Sequence, residues 1–116
     1  MNLLPRFLGL AVLLLAFVAA TKAPGIVAAP PADAPQVEVK IDNFTFAPGT
    51  ITVAAGTTVR WVNHDDIPHN VVSTDKSFKS KVLDTDESFT YTFTKAGTYD
   101  YFCSIHPKMT GKVVVQ

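Results

Sequence analysis

Residues 97–115 read Gly97-Thr98-Tyr99-Asp100-Tyr101-Phe102-Cys103-Ser104-Ile105-His106-Pro107-Lys108-Met109-Thr110-Gly111-Lys112-Val113-Val114-Val115, and the fold class can be read from them. In the first half, Tyr99, Tyr101 and Cys103 share one parity. Alternation with period two places such a set on one face of a β-strand. Gly111 to Val115 ends in consecutive valines, which are stiff at χ1 and favour a second strand. Between the two strands, Cys103 to Met109 forms a tight loop shaped by Pro107.

The same pattern recurs upstream. Val37, Val39 and Ile41 share one parity, as do Val59 and Trp61, and then Phe89, Tyr91 and Phe93. Turn-forming residues fall between these runs at Pro48-Gly49, Ala55-Gly56, Asp65-Asp66, Asp84 to Asp86 and Lys95 to Gly97. From Gln36 onward there is one leucine, Leu83, beside eleven Val, four Ile and twelve Thr. So few helix formers and so many β-branched residues predict an all-β domain of about eight short strands, a sandwich or small barrel. Ser77 to Lys81 is the one stretch that could hold a turn of helix. Trp61, Phe44, Phe46, Phe89 and Phe93 are the expected core aromatics. Tyr99, just after Gly97, is either a corner tyrosine bonded across a strand crossing or an ordinary half-buried strand tyrosine.

The chain has 116 residues, is 47% apolar and carries ten basic against ten acidic side chains. These averages join two unlike segments. Residues 1–28 hold 20 of the apolar residues and only two charges, Arg6 and Lys22. Arg6 precedes the uncharged run Phe7 to Ala20, which is shorter than the roughly twenty apolar residues a membrane-spanning helix needs. Residues 1–28 are therefore expected to be a secretory signal peptide, with no stable membrane insertion and export to the bacterial periplasm. Residues 29–35 continue an Ala- and Pro-rich stretch that cannot build a core and serve as a linker. Residues 36–116 are the folded domain. Beyond residue 28 there are eight basic and ten acidic side chains, which excludes a nucleic-acid binder working by phosphate neutralisation. A domain of this size buries only about 60 to 65% of the surface its unfolded chain exposes, so a further staple is expected. The single cysteine, Cys103, cannot supply it as an internal disulfide.

Chemistry concentrates in the loop. Cys103, His106 and Met109 recur at three-residue spacing, so a thiolate, an imidazole and a thioether can converge on one point. Taken singly, each has a bland reading: a buried small hydrophobe, a solvated histidine and a core filler. Their joint occurrence changes the odds, since these are the only cysteine and the only internal methionine of the chain. Thiolate and thioether together select copper over Ca²⁺ or Mg²⁺, and two imidazoles with one thiolate and a weak axial Met form the blue-copper ligand set. The loop supplies one imidazole. His69, after the rigid Pro68 and at the start of an expected strand Asn70 to Ser73, is the best candidate for the second; His64, beside Asp65 and Asp66 in an expected exposed turn, is read as a non-ligand.

These residues resemble the cupredoxins, and among them the amicyanin-like and plastocyanin-like small blue copper proteins. The resemblance runs from about Val37 to Val115 and is densest in Trp61-Val62-Asn63, in Pro68-His69-Asn70-Val71 and in residues 97–115. It implies an eight-stranded Greek-key β-sandwich with one copper ion at one end, held by His69, Cys103, His106 and Met109. It also implies that the Asn70 side chain ties its strand to Ser104, and that the Asn70 backbone N–H donates to the Cys103 sulfur. Amicyanins commonly have Pro where this chain has Ile105, which adds a backbone N–H that, aimed at the sulfur, would raise the reduction potential.

A hydrolase using Cys103 and a histidine, or a Cys/His zinc site, finds no oxyanion loop here and little use for Met109. The expectation is an electron carrier and not an enzyme. It would act as a monomer that docks weakly and transiently around His106 with a redox donor and acceptor. The alternative is a copper-binding or delivery module without an electron-transfer role, which a Met-rich or His-rich tract would favour; the sequence has neither.

Overall fold

The computed structural model describes residues 35–116. The expected signal peptide, and all but the last residue of the expected linker, lie outside the described residues. Eight strands follow one another: β1 (Gln36–Asp42), β2 (Thr45–Ala47), β3 (Thr50–Val53), β4 (Thr57–Asn63), β5 (Val72–Ser73), β6 (Ser88–Phe93), β7 (Gly97–Phe102) and β8 (Thr110–Val115). They form two four-stranded sheets, ordered β2-β1-β4-β6 and β3-β8-β7-β5. The chain crosses from the first sheet to the second after β2 and returns at β4, so β1 pairs with β4, and β3 with β8, in parallel, while the other pairs are antiparallel. The result is the expected eight-stranded sandwich.

The period-two sets meet between the sheets. Val39, Ile41, Val59, Trp61 and Phe93 from the first sheet close on Tyr101, Val113 and Val115 from the second, all 4% exposed or less. Trp61 is the hub: its ring centroid lies 5.6 Å from Phe78, 5.7 Å from Phe89 and 5.4 Å from Tyr101. The Tyr99 hydroxyl donates to the Lys95 carbonyl at 2.8 Å, the backward reach of a corner tyrosine.

Three expectations need correction. Phe44 is not a core residue but is 44% exposed, because it lies in the two-residue turn joining Asp42 to Thr45 rather than on a strand. In that turn Asn43 (φ 48°) and Phe44 (φ 55°) are both left-handed, a shape that follows strand twist but costs a residue other than Gly about 1 kcal/mol. The Ser77–Lys81 stretch holds no helical turn; Lys79 instead bridges to Val72. The strand expected from Asn70 narrows to Val72–Ser73, with His69 held by a separate antiparallel bridge to Leu83.

These connections bring the β1–β2 turn, the β4–β5 loop and the β7–β8 loop to one end of the sandwich. The His64 N–H donates to the Ile41 carbonyl at 2.8 Å, and β5 pairs with β7 at Val72 and Phe102, one residue before Cys103. At the start of β8, Gly111 lies opposite Tyr101, and a methyl group there would overlap the buried tyrosine ring. Gly111→Ala is expected to destabilise the domain by about 1–3 kcal/mol, the usual cost of overpacking, as read from the denaturant midpoint.

Candidate metal centre

His69 and Cys103 lie 34 residues apart in sequence but are fully buried side by side. The His69 segment is fixed by reciprocal backbone bonds to Leu83, at 3.1 and 2.7 Å. The Cys103 loop closes on itself: the Cys103 N–H donates to the Met109 carbonyl at 3.0 Å, and the Met109 N–H to the His106 carbonyl at 2.9 Å. That closure places the three-residue spacing in one tight turn, with Met109 buried and Ile105 outside at 45% exposure.

Two side chains lock the loops together. Asn70 donates through Nδ2 to Ser104 Oγ at 2.7 Å and accepts the Ser104 N–H on Oδ1 at 2.8 Å. The Asn70 backbone N–H points at the Cys103 sulfur at 3.5 Å. No bond from the Ile105 N–H to that sulfur occurs among the described residues, so the expected sulfur contact comes from Asn70 alone.

The donor atoms converge. Cys103 Sγ is 3.8 Å from His69 Nδ1 and 3.8 Å from His106 Nδ1, and one donor atom from each residue falls within 4.8 Å of the others. A metal with bonds of about 2.3 Å to sulfur and 2.0 Å to nitrogen, at angles near 120°, needs a sulfur–nitrogen separation of about 3.7 Å. The spacing therefore suits a single ion. His64 stands outside the cluster; its Nδ1 is 4.0 Å from the exposed Asp86.

The expected exposed turn at Asp65 is a further correction, because the Asp65 side chain is turned inward onto His69. Asp65 is 6% exposed, and its Oδ2 lies 2.9 Å from His69 Nε2. The same oxygen accepts the Phe44 N–H at 3.1 Å, and Oδ1 accepts the Asp66 N–H at 3.0 Å. A carboxylate on Nε2 keeps the proton there and leaves the Nδ1 lone pair facing Cys103, the tautomer a ligand requires. The i,i+4 spacing of Asp65 and His69 was the available signal. Phe44 was missed in the same way. Its ring meets His69 and His106 edge-on, with centroids 5.5 and 5.0 Å away.

A Cupredoxin-like domain model matches residues 9–115. The chain belongs to the cupredoxin-like family. Amicyanin of Paracoccus versutus is 41% identical over 91 residues, covering 74% of this chain and 67% of that protein. Its crystal structure superposes with a TM-score of 0.64 at 40% identity, covering 74% of this chain and 84% of the other. Amicyanin-alpha of Methylorubrum extorquens is 36% identical over 118 residues, covering 96% of this chain and 99% of the relative. Chloroplastic plastocyanin of Tetradesmus obliquus is 37% identical over 100 residues, covering 73% and 69%. The cupredoxin fold accounts for the two-sheet topology, and the cluster lies where the β1–β2 turn, the β4–β5 loop and the β7–β8 loop of this chain meet.

The hydrogen bond with His69, and then the Phe44 N–H, hold the Asp65 carboxyl down from the ordinary 3.8 to about 2. A depressed folded-state pKa stabilises the fold fully above the unfolded value and loses that contribution as pH falls toward the folded one. Between about pH 4 and about pH 2 the metal-free protein is therefore expected to lose stability, and Asp65→Asn to lose less of it, in denaturant titrations across that interval.

Proposed function

We propose that this cupredoxin binds one copper ion through His69, Cys103, His106 and Met109 and carries single electrons between redox partners. The observation that carries this reading is the approach of two imidazole Nδ1 atoms to one buried thiol sulfur, each at 3.8 Å. Bound copper supplies the Cu(II)/Cu(I) couple. The chain's own contribution is to hold its donors in one arrangement for both oxidation states. Asp65 orients His69, the Asn70–Ser104 pair fixes the two segments, and the Asn70 N–H stabilises negative charge on the Cys103 sulfur.

His69 and Cys103 are fully buried, whereas His106 is half-buried. Electrons therefore enter and leave by the His106 edge, which Phe44 and Ile105 flank as exposed apolar side chains. Docking there is small and transient, since a carrier must leave as readily as it arrives. The partners are a redox donor and acceptor met by a monomer in the periplasm, reached through the apolar leader of residues 1–28. The protein works as an electron carrier and not as an enzyme.

Adding Cu(II) to the purified protein is expected to produce an intense blue absorption with the narrow copper hyperfine splitting of a thiolate site. Cys103→Ser abolishes both, and His64→Ala changes neither. A colourless wild-type protein overturns the reading. Copper at about 1,000 times its dissociation constant should stabilise the fold by about 4 kcal/mol, seen as a higher thermal midpoint than that of the metal-free protein.

A further inference from the structure

The β1–β2 turn is built against its own backbone preference. Asn43 and Phe44 are both left-handed, at φ 48° and 55°, a pair for which Asn followed by Gly is the favoured sequence. Asn tolerates this conformation, but a bulky aromatic residue does so only when its surroundings hold it there. The holding contact is the Phe44 N–H on Asp65 Oδ2, the oxygen that also binds His69 Nε2. Core burial does not explain the choice, since the side chain is 44% exposed. What the ring does contact is both imidazoles: it stands at 88° to His69 and at 86° to His106, whose own centroids are 5.0 Å apart. Perpendicular aromatic pairs direct a positive ring edge at a negative face, which sets the angle of each ring as well as its position.

The two histidines are not held equally. His69 is gripped at Nε2 by Asp65 and along its backbone by Leu83. The His106 ring has only its Nδ1 approach to the Cys103 sulfur among the polar side-chain contacts of the described residues. Two ring contacts are left to orient it, the tilted one with His69 and the perpendicular one with Phe44.

We propose that Phe44 is a positioning residue for His106, kept in a strained turn so that its ring fixes the angle of the solvent-side imidazole. This inference rests on the reading of His106 as a copper ligand. It assigns to the β1–β2 turn a role in ordering the site before metal arrives, transmitted through Asp65 to His69 and through the ring to His106.

The test separates ring from turn. Phe44→Gly removes the ring and relieves the left-handed strain, Phe44→Leu keeps an apolar side chain without the ring edges, and Asn43→Gly relieves strain while leaving the ring. In the metal-free protein, ¹⁵N relaxation of the imidazoles is expected to show greater motion of His106 in both Phe44 variants, with His69 unchanged. Phe44→Gly should unfold at a denaturant concentration no lower than wild type. With copper loaded, release to a competing chelator should be about tenfold faster in both Phe44 variants, the scale of losing a contact that orients a ligand, and unchanged in Asn43→Gly. His106 motion and copper release equal to wild type in Phe44→Leu would overturn the inference. So would an Asn43→Gly variant that releases copper as fast as the Phe44 variants, because the turn and not the ring would then be responsible. A wild-type protein that takes no copper defeats the ligand reading instead, while the metal-free relaxation data still decide whether Phe44 orders the ring.

Discussion

Two reciprocal hydrogen bonds between Asn70 and Ser104, at 2.7 and 2.8 Å, join chain segments 34 residues apart. Each segment carries one of the buried donors, His69 on one side and Cys103 on the other. Strand pairing alone would not fix their separation, because β5 is only two residues long and its ladder with β7 ends one residue short of the thiol. The amide clamp extends the register past the end of the sheet with side-chain atoms. The Asn70 N–H then falls within reach of the Cys103 sulfur. The imidazole, the sulfur and the sulfur's hydrogen-bond donor are thereby set relative to one another by a single residue and its partner.

A second constraint is electrostatic. Burying the Asp65 carboxylate is costly unless its oxygens are satisfied, and here they accept the N–H groups of Phe44 and Asp66 and face the His69 ring. The Asp65 N–H is itself received by Asn63 Oδ1, while Asn63 Nδ2 donates to the carbonyls of Ile67 and Leu83. Asn63, the last residue of β4, therefore organises the whole β4–β5 loop from a fully buried position. The metal end is a connected polar network set against an apolar sandwich, and satisfied networks of this kind favour one arrangement over its neighbours.

Much of this was legible in the sequence, and the failures share a cause. Period-two runs located β1, β4, β6 and β7, because strand side chains alternate whatever their partners are. The grouping of Cys103, His106 and Met109 was legible because a short loop keeps sequence neighbours together in space. Phe44 was misplaced because a large aromatic side chain was read as a core residue, whereas it lies in the left-handed turn before β2: Phe46, on the strand, points inward at 2% exposure and Phe44 does not. Asp65 was misread because paired acids before a proline suggest a solvated turn. The turn exists, but which carboxylate faces inward depends on N–H groups from elsewhere in the fold. Of the two N–H groups expected at the Cys103 sulfur, that of Asn70 is there and that of Ile105 is not, since the donor comes from across the sheet and not from the loop.

The lone cysteine first registers as a missing disulfide in a domain with little core to spare. Its surroundings suggest another kind of staple. The hydrogen bonds that align His69 and Cys103 need no metal, so the cost of ordering these two proposed ligands is met when the chain folds and not when an ion binds. An ion that recognises only the folded arrangement then stabilises it by mass action, more strongly the less rearrangement binding demands. Phe44 fits the same logic from the opposite side. Its turn gives up a small amount of intrinsic stability, and in exchange an aromatic edge lies against the one imidazole the polar network does not hold. Rigidity at the metal end and strain in the β1–β2 turn are thus two parts of one arrangement, linked through the Asp65 oxygen they share.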